Sequence, residues 1–252
     1  MPVYDEPLYY EIAFSFIDPE KQVDLFEGFI GEYSKIEVKR LLDIGCGPSL
    51  QLREAARRGY DAVGLDLSPQ MLRYLEERAE EEGVSVETVN ADMTDFRLEK
   101  PVEFAFIMMG TICEIGSKDG FLRHLDCVAD SLSDGGLYLI ENLRLDWAKE
   151  DFFGSDSWTM ERDGIRVKTT YDVQLKDPLA QTLIETIRLD VDDHGRKLFF
   201  EESEETRMIF PQEFLILVEI SGRFEFLGWF ERDRMVRLEK ASMDNITLLR
   251  RK

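Results

Sequence analysis

From Leu41 onward the chain alternates short apolar runs with stretches whose apolar residues recur every three or four positions, which predicts buried strands separated by amphipathic helices. The run Leu41-Leu42-Asp43-Ile44 leads into Gly45-Cys46-Gly47-Pro48-Ser49, and Leu50 to Arg58 follows with helical spacing until Gly59 stops it. A second strand, Tyr60 to Leu67, ends around Asp66; Ser68 caps the next helix, Pro69 sits in its first turn, and Met71, Leu72 and Leu75 form its stripe. Strands Ser85 to Asn90 and Val102 to Met108, a helix Phe121 to Leu132, and a strand Leu137 to Ile140 after the turn Asp134-Gly135-Gly136 continue the series. Between Ser157 and Arg207 the period changes to two: Ile165, Val167, Thr169, Tyr171, Val173 and Leu175 alternate, and Asp163-Gly164, Asp177-Pro178 and Asp193-His194-Gly195 supply turns. This predicts about four antiparallel strands. A helix Pro211 to Ile220 and strands Phe224 to Phe230 and Ile246 to Arg250 close the chain, while Tyr4 to Tyr33 reads as two short amphipathic helices broken at Asp18-Pro19.

Strand, glycine turn and helix in that order build the nucleotide-binding corner of a doubly wound sheet, because Gly45 and Gly47 let backbone approach a ligand without Cβ interference. The third glycine of a dinucleotide fingerprint is missing, with Leu50 at its place, which disfavours a plain NAD site and the oxidoreductase it would serve. Asp66 lies about 20 residues past the first glycine, where a carboxylate accepts from ribose hydroxyls. Met71 either points at the same cleft or fills core.

The ordered set Asp43/Gly45/Gly47, Asp66, Asp92-Met93 and Asp134-Gly135-Gly136 resembles class I S-adenosylmethionine-dependent methyltransferases over roughly residues 40 to 142. The resemblance implies an α/β fold with a doubly wound, mostly parallel seven-stranded sheet, an antiparallel last strand, an N-terminal helical lid and an antiparallel β insertion. It divides the chain into a lid (1–35), a Rossmann-like cofactor core (36–150), the insertion (151–210) and a C-terminal completion of the sheet (211–252). It also implies S-adenosylmethionine as cofactor, with S-adenosylhomocysteine as product. Asp43 would organise the turn and the methionine amino group, Gly45 and Gly47 would pack against the methionine moiety, and Asp66 would hold the ribose. Asp92 would accept from the adenine amino group, Leu67, Met71 and Met93 would line the adenine slot, and Met109 would sit near the sulfonium. The chain departs from the family pattern at Pro48-Ser49 and at Glu103, where an Asp is usual.

Methyl transfer from a sulfonium needs alignment and a dry site more than a dedicated nucleophile. A base helps only if the acceptor arrives protonated, and Glu114, Glu141 and Asn142 are the candidates at the carboxyl edge of the sheet. His124 in a helix and His194 in a turn are the only histidines, which argues against a histidine triad, and no metal site is expected. Tyr9 and Tyr10 either face the sulfonium or the acceptor, or lie half buried where these helices pack on the sheet edge. The Asn/Asp-Pro-Pro-aromatic motif of enzymes acting on exocyclic or amide nitrogens is replaced by Met108-Met109-Gly110-Thr111. A small-molecule acceptor follows. The rival reading is a catalytically silent protein that binds S-adenosylmethionine or S-adenosylhomocysteine in a regulatory or partner role.

With 52 acidic against 31 basic residues the net charge is −21, which repels a phosphate backbone and disfavours nucleic acid as partner. Arg250-Arg251-Lys252 is the one basic cluster of note. Cys46, Cys113 and Cys127 show neither disulfide nor zinc spacing. No apolar run is long enough for a bilayer and Met1 to Asp5 is unlike a signal peptide, so a cytoplasmic protein with no membrane partner is expected. Heavy charge usage with three asparagines fits a thermophile. The insertion is expected to wall the acceptor pocket or to pair two copies into a homodimer.

Overall fold

The computed structural model describes residues 1–147 and 152–252. Strand β1 (Arg40–Ile44) is buried along its whole length, which places it mid-sheet. It pairs in parallel with β2 (Asp61–Asp66) on one side and β4 (Val102–Ile107) on the other. With β3 (Val86–Asn90), β5 (Leu132–Glu141), β10 (Phe224–Glu231) and β11 (Asn245–Arg251) the sheet runs β10-β11-β5-β4-β1-β2-β3. Strand β11 is antiparallel to both neighbours and the remaining pairs are parallel. The chain order reverses beside β1, so the carboxyl ends of β1 and β4 open a crevice there.

Successive side chains of a strand point to opposite faces, and both faces are covered. Leu42, Ile44, Val63, Ala105, Ile107, Tyr138 and Ile140 meet α5 (Lys118–Ser131) and α6 (Pro211–Ser221). Leu41, Phe104, Phe106, Leu137 and Leu139 meet α2 (Pro19–Tyr33), α3 (Leu50–Arg57) and α4 (Pro69–Glu81). Helix α2 belongs mainly to this layer, its Phe26 ring 4.7 Å from that of Phe106, and reaches the cavities described below through Gln22. Helix α1 (Pro7–Ala13) does lie over the carboxyl edge. Its Tyr9, Ile12 and Ala13 pack with Val3 against Val167, Ile187, Leu189, Val191 and Phe200 of the second sheet.

That second sheet is a meander, β6 (Gly154–Arg162), β7 (Ile165–Asp177), β8 (Thr182–Asp193) and β9 (Arg196–Arg207), antiparallel throughout. The N-terminal segment ties onto β9, where the Glu201 N–H donates to the Met1 carbonyl at 3.0 Å. The Trp158 indole donates to the Ala13 carbonyl at 2.7 Å, joining β6 to α1. The boundary expected between residues 150 and 151 lies outside the described residues.

Two local features differ from the sequence reading. The turn Asp134-Gly135-Gly136 is absorbed into β5 as a bulge: pairing with β4 breaks between Val102 and Phe104 and resumes at Leu137. Gly135 takes φ +84°, and a Cβ on Gly136 would stand 2.7 Å from the Glu103 carbonyl. Glu103 itself works at the opposite end of the sheet from the crevice, where its Oε2 accepts from the Lys39 and Arg40 N–H groups at 3.1 and 2.8 Å. Among the described residues no helix is long and apolar enough to cross a membrane, and no group of three or more His, Cys, Asp or Glu side chains is placed to hold a metal ion.

Candidate functional site

Three adjoining cavities occupy the carboxyl edge of the main sheet. The largest, about 650 Å³, runs over the ends of β1, β2 and β3 and is lined by Gly45, Gly47, Asp66, Leu67, Met71, Asp92 and Met93. A second, about 340 Å³, lies under the meander. A third, about 70 Å³, sits behind the glycine turn and reaches Asp43, Ser49 and Met109. Tyr10 and Thr111 line all three, so the cavities meet between those two side chains.

The glycine turn has a specific shape. Gly45 at φ +65° and Gly47 at φ +51° are left-handed, and a Cβ on Gly45 would lie 2.6 Å from Thr111 Cγ2. Ser49, at φ +28°, is also held off the usual regions, and two hydrogen bonds keep it there. Its hydroxyl donates to Asp43 Oδ2 at 2.6 Å and accepts the Leu52 N–H at 3.1 Å, capping α3. The Pro48-Ser49 departure thus ties the turn to Asp43. Burial pushes the Asp43 carboxyl up to about 8, against the Ser49 bond that lowers it, and the charges of Asp66 and Glu141 add to the rise. Among the described residues no Lys or Arg pairs with Asp43, which leaves this corner suited to a ligand cation.

Asp66 Oδ2 accepts the Gly47 N–H at 2.7 Å and Oδ1 the Ser68 N–H at 2.8 Å, so each oxygen keeps a lone pair for a ligand hydroxyl. Burial raises its pKa and these backbone bonds oppose the rise. Asp92 Oδ1 accepts from Thr94 N–H and Oγ–H at 2.7 and 2.8 Å at the far end of the same cavity. Leu67 is 72% exposed at its rim, whereas Met71, 2% exposed, is largely core and shows the cavity one edge. The Met93 loop is held from behind by His124, whose Nδ1 donates to the Met93 carbonyl at 2.8 Å while Nε2 accepts from the Tyr138 hydroxyl at 2.7 Å. Burial lowers the His124 pKa to about 4, so it is a neutral structural group.

Met109 lines the two smaller cavities rather than the largest, on a left-handed backbone at φ +57°. Its N–H donates to Glu141 Oε2 at 2.8 Å. Glu141 is only 3% exposed, with Arg232 at 3.7 Å on its other oxygen, so it is a buried brace for the Met109 turn. Asn142 follows at φ +58°, its buried Oδ1 without a partner among the described residues. Glu114 lies where the largest and second cavities join. Its side chain is exposed to the cleft, yet desolvation by the protein around it pushes its carboxyl up to about 8, with the charges of Glu204 and Asp66 adding and Arg144 opposing. The three candidate acid-base residues therefore border one cavity.

The structure separates the two tyrosines. Tyr10 faces the cavities, but Tyr9 turns into the meander, its hydroxyl donating to Asp193 Oδ2 at 3.0 Å. Residues not singled out in the sequence also line the second cavity: Tyr4, Tyr171, Trp158, Glu202, Glu204 and Arg144. The signal for Glu202 and Glu204 was present, since Phe200, Glu202, Glu204 and Thr206 share the inward face of an alternating strand, where charge is out of place unless it meets something.

Residues 41–136 match the family model of a methyltransferase domain. That stretch is a methyltransferase domain, and the fold around it is that of class I S-adenosylmethionine-dependent methyltransferases. It is 26% identical over 132 residues to the dTDP-3-amino-3,4,6-trideoxy-α-D-glucopyranose N,N-dimethyltransferase of Streptomyces venezuelae, an overlap of 51% of this chain and 52% of that protein. The chain thus spans about half the length of the curated relatives it matches. In fold it is similar to an S-adenosylmethionine-dependent methyltransferase from Clostridium acetobutylicum (TM-score 0.81, 16% identity, 96% of each chain). It is also similar to S-adenosylmethionine-bound CalS10, an amino pentose methyltransferase of Micromonospora echinaspora (TM-score 0.71, 18% identity, 92% of this chain and 91% of that one).

Proposed function

We propose that this chain transfers a methyl group from S-adenosylmethionine to a small molecule held in the 340 Å³ cavity, by in-line displacement. The observation that carries this reading is the common wall formed by Tyr10 and Thr111 between the glycine-turn cavity and the cavity under the meander. A ligand on the glycine turn and a ligand under the meander would approach each other across that wall. When bound, the cofactor supplies a methyl group already activated by positive sulfur. The residues present fit it: Asp43 offers a buried acid without a cation, Gly45 and Gly47 leave a cradle free of Cβ atoms, and Asp66 keeps a lone pair on each oxygen. Asp92, Met93, Met71 and Leu67 frame the far end.

The protein's part is then alignment and exclusion of water, worth roughly 7–11 kcal/mol in well-oriented systems. Tyr4 and Tyr10 supply the roof, Thr111 and the left-handed Met109-Gly110 turn the floor, and Glu141 fixes that turn through the Met109 N–H. Incubation with methyl-labelled S-adenosylmethionine and a panel of small amines, acids and phenols tests the reading. Label should move to a member of the panel, and Thr111→Trp, which fills the junction, should abolish transfer while the fold persists. Cofactor binding without transfer to any acceptor class would instead favour a silent binding protein.

A further inference from the structure

The wall between the largest and second cavities carries Glu114 from the turn after β4 and Glu202 and Glu204 from β9. Glu202 is taken by the Val3 N–H at 3.1 Å, and Arg144, whose charge acts on Glu114, is taken by Glu185. The Glu114 and Glu204 side chains make no hydrogen bond or ion pair among the described residues; Glu114 is open to the cleft, Glu204 is half-buried, and the charge of Glu204 acts on Glu114. The rings of Tyr4, Tyr10 and Tyr171 stand around them. Two unpaired carboxylates that repel each other in an aromatic-lined cleft favour a ligand that brings positive charge.

Resting on the methyl-transfer reading above, we propose that the acceptor is a basic amine, bound as its ammonium between Glu114 and Glu204 among the Tyr4, Tyr10 and Tyr171 rings and deprotonated there by Glu114. An alcohol or phenol would leave both carboxylates unpaired, and an acidic acceptor would be repelled. The proton passes from the ammonium nitrogen to a Glu114 oxygen and frees the nitrogen lone pair. That pair forms the new N–CH₃ bond as the S–CH₃ bond breaks, whose electrons remain on sulfur as a neutral thioether. The amine leaves with one more methyl group and its positive charge, and Glu114 gives its proton to solvent. Positive charge moves from sulfur to nitrogen along this path, so the Glu204 carboxylate on the acceptor side of the junction favours the transition state over the ground state.

The test uses benzylamine, cationic at pH 7, and benzyl alcohol, a neutral probe of similar size. Both are titrated into the full chain by ligand-observed NMR, with and without S-adenosylhomocysteine, and again into E114Q/E204Q after a melting curve confirms that it is folded. The amine should bind roughly tenfold more tightly than the alcohol, the worth of one charged hydrogen bond, and the preference should vanish in the double variant. Equal binding of the two probes, binding of neither, or a preference retained in E114Q/E204Q would overturn the amine assignment. An amine preference in a chain that fails to bind S-adenosylhomocysteine would instead overturn the methyl-transfer reading beneath it.

Discussion

Glu11 is the place where the roof of the site is fastened, and its removal has a calculable effect. Its side chain is 2% exposed and accepts from Arg53 Nη2 at 2.5 Å and from Arg162 Nη1 at 2.6 Å, joining α1 to α3 and to β6. Arg53, also 2% exposed, keeps one further partner, Glu82 at 2.6 Å, while its Nε is already unsatisfied. In Glu11→Ala two guanidinium groups lose their central counter-charge, one of them in the interior. Breaking a buried pair costs about 3–5 kcal/mol, and the surviving Glu82 contact places this case near the lower figure, about 3 kcal/mol. For a chain of this size that is a fall in melting temperature of roughly 6–12 °C. Because α1 also carries Tyr10, the roof of the junction, the variant should release S-adenosylhomocysteine faster as well. Urea unfolding and stopped-flow displacement measure the two effects. Glu81→Gln, which breaks the exposed Arg78 pair, serves as control and should cost less than about 1 kcal/mol. A Glu11→Ala loss no larger than the control's would refute the argument that this network fastens the helix.

Three further outcomes follow from the same geometry. His124 is neutral when folded, with its pKa lowered from 6.5 to about 4, so its contribution is present above pH 6.5 and is lost as pH falls toward 4. The loss amounts to about 3 kcal/mol, and melting curves of His124→Gln should lack that part of the wild-type decline. Glu114 has the opposite sign: its folded pKa is raised from 4.5 to about 8, so its ionisation costs stability as pH rises through that window. Glu114→Gln should therefore melt above wild type at pH 8.5, and the difference should close by pH 5. Gly45→Ala forces a Cβ to 2.6 Å from Thr111 Cγ2 on a left-handed backbone. About 1–3 kcal/mol of strain should appear as reduced stability or weaker S-adenosylhomocysteine binding, read by melting with and without the ligand.

Much of this architecture was legible because the first strands end in a residue type that signals their place. Asp43 and Asp66 stand at the ends of apolar runs, and Ser68-Pro69 announces a helix start that the Met71 N–H to Ser68 bond realises. The alternation from Ile165 to Val173 likewise gave the meander its period. Less legible was whatever depends on packing between distant segments. Helix α2 reads as amphipathic in either role, and only Phe26 stacking on Phe104 and Phe106 assigns it to the sheet rather than the roof. Tyr9 and Tyr10 are neighbours in sequence, and a helical step of about 100° per residue separates their faces. Glu141 looked like a loop acid because nothing local records that β11 and Arg232 bury it. The Glu114 and Glu204 pairing spans 90 residues and arises only when the meander folds over the sheet edge.

The central claim is that the ends of β1 and β2 hold S-adenosylmethionine, and titration calorimetry with S-adenosylhomocysteine tests it most directly. One-to-one binding is expected, and Asp66→Ala should weaken it by about 1.5–3 kcal/mol for each charged hydrogen bond lost to the ribose. Absence of binding at millimolar ligand, or an affinity indifferent to Asp66, would contradict the account.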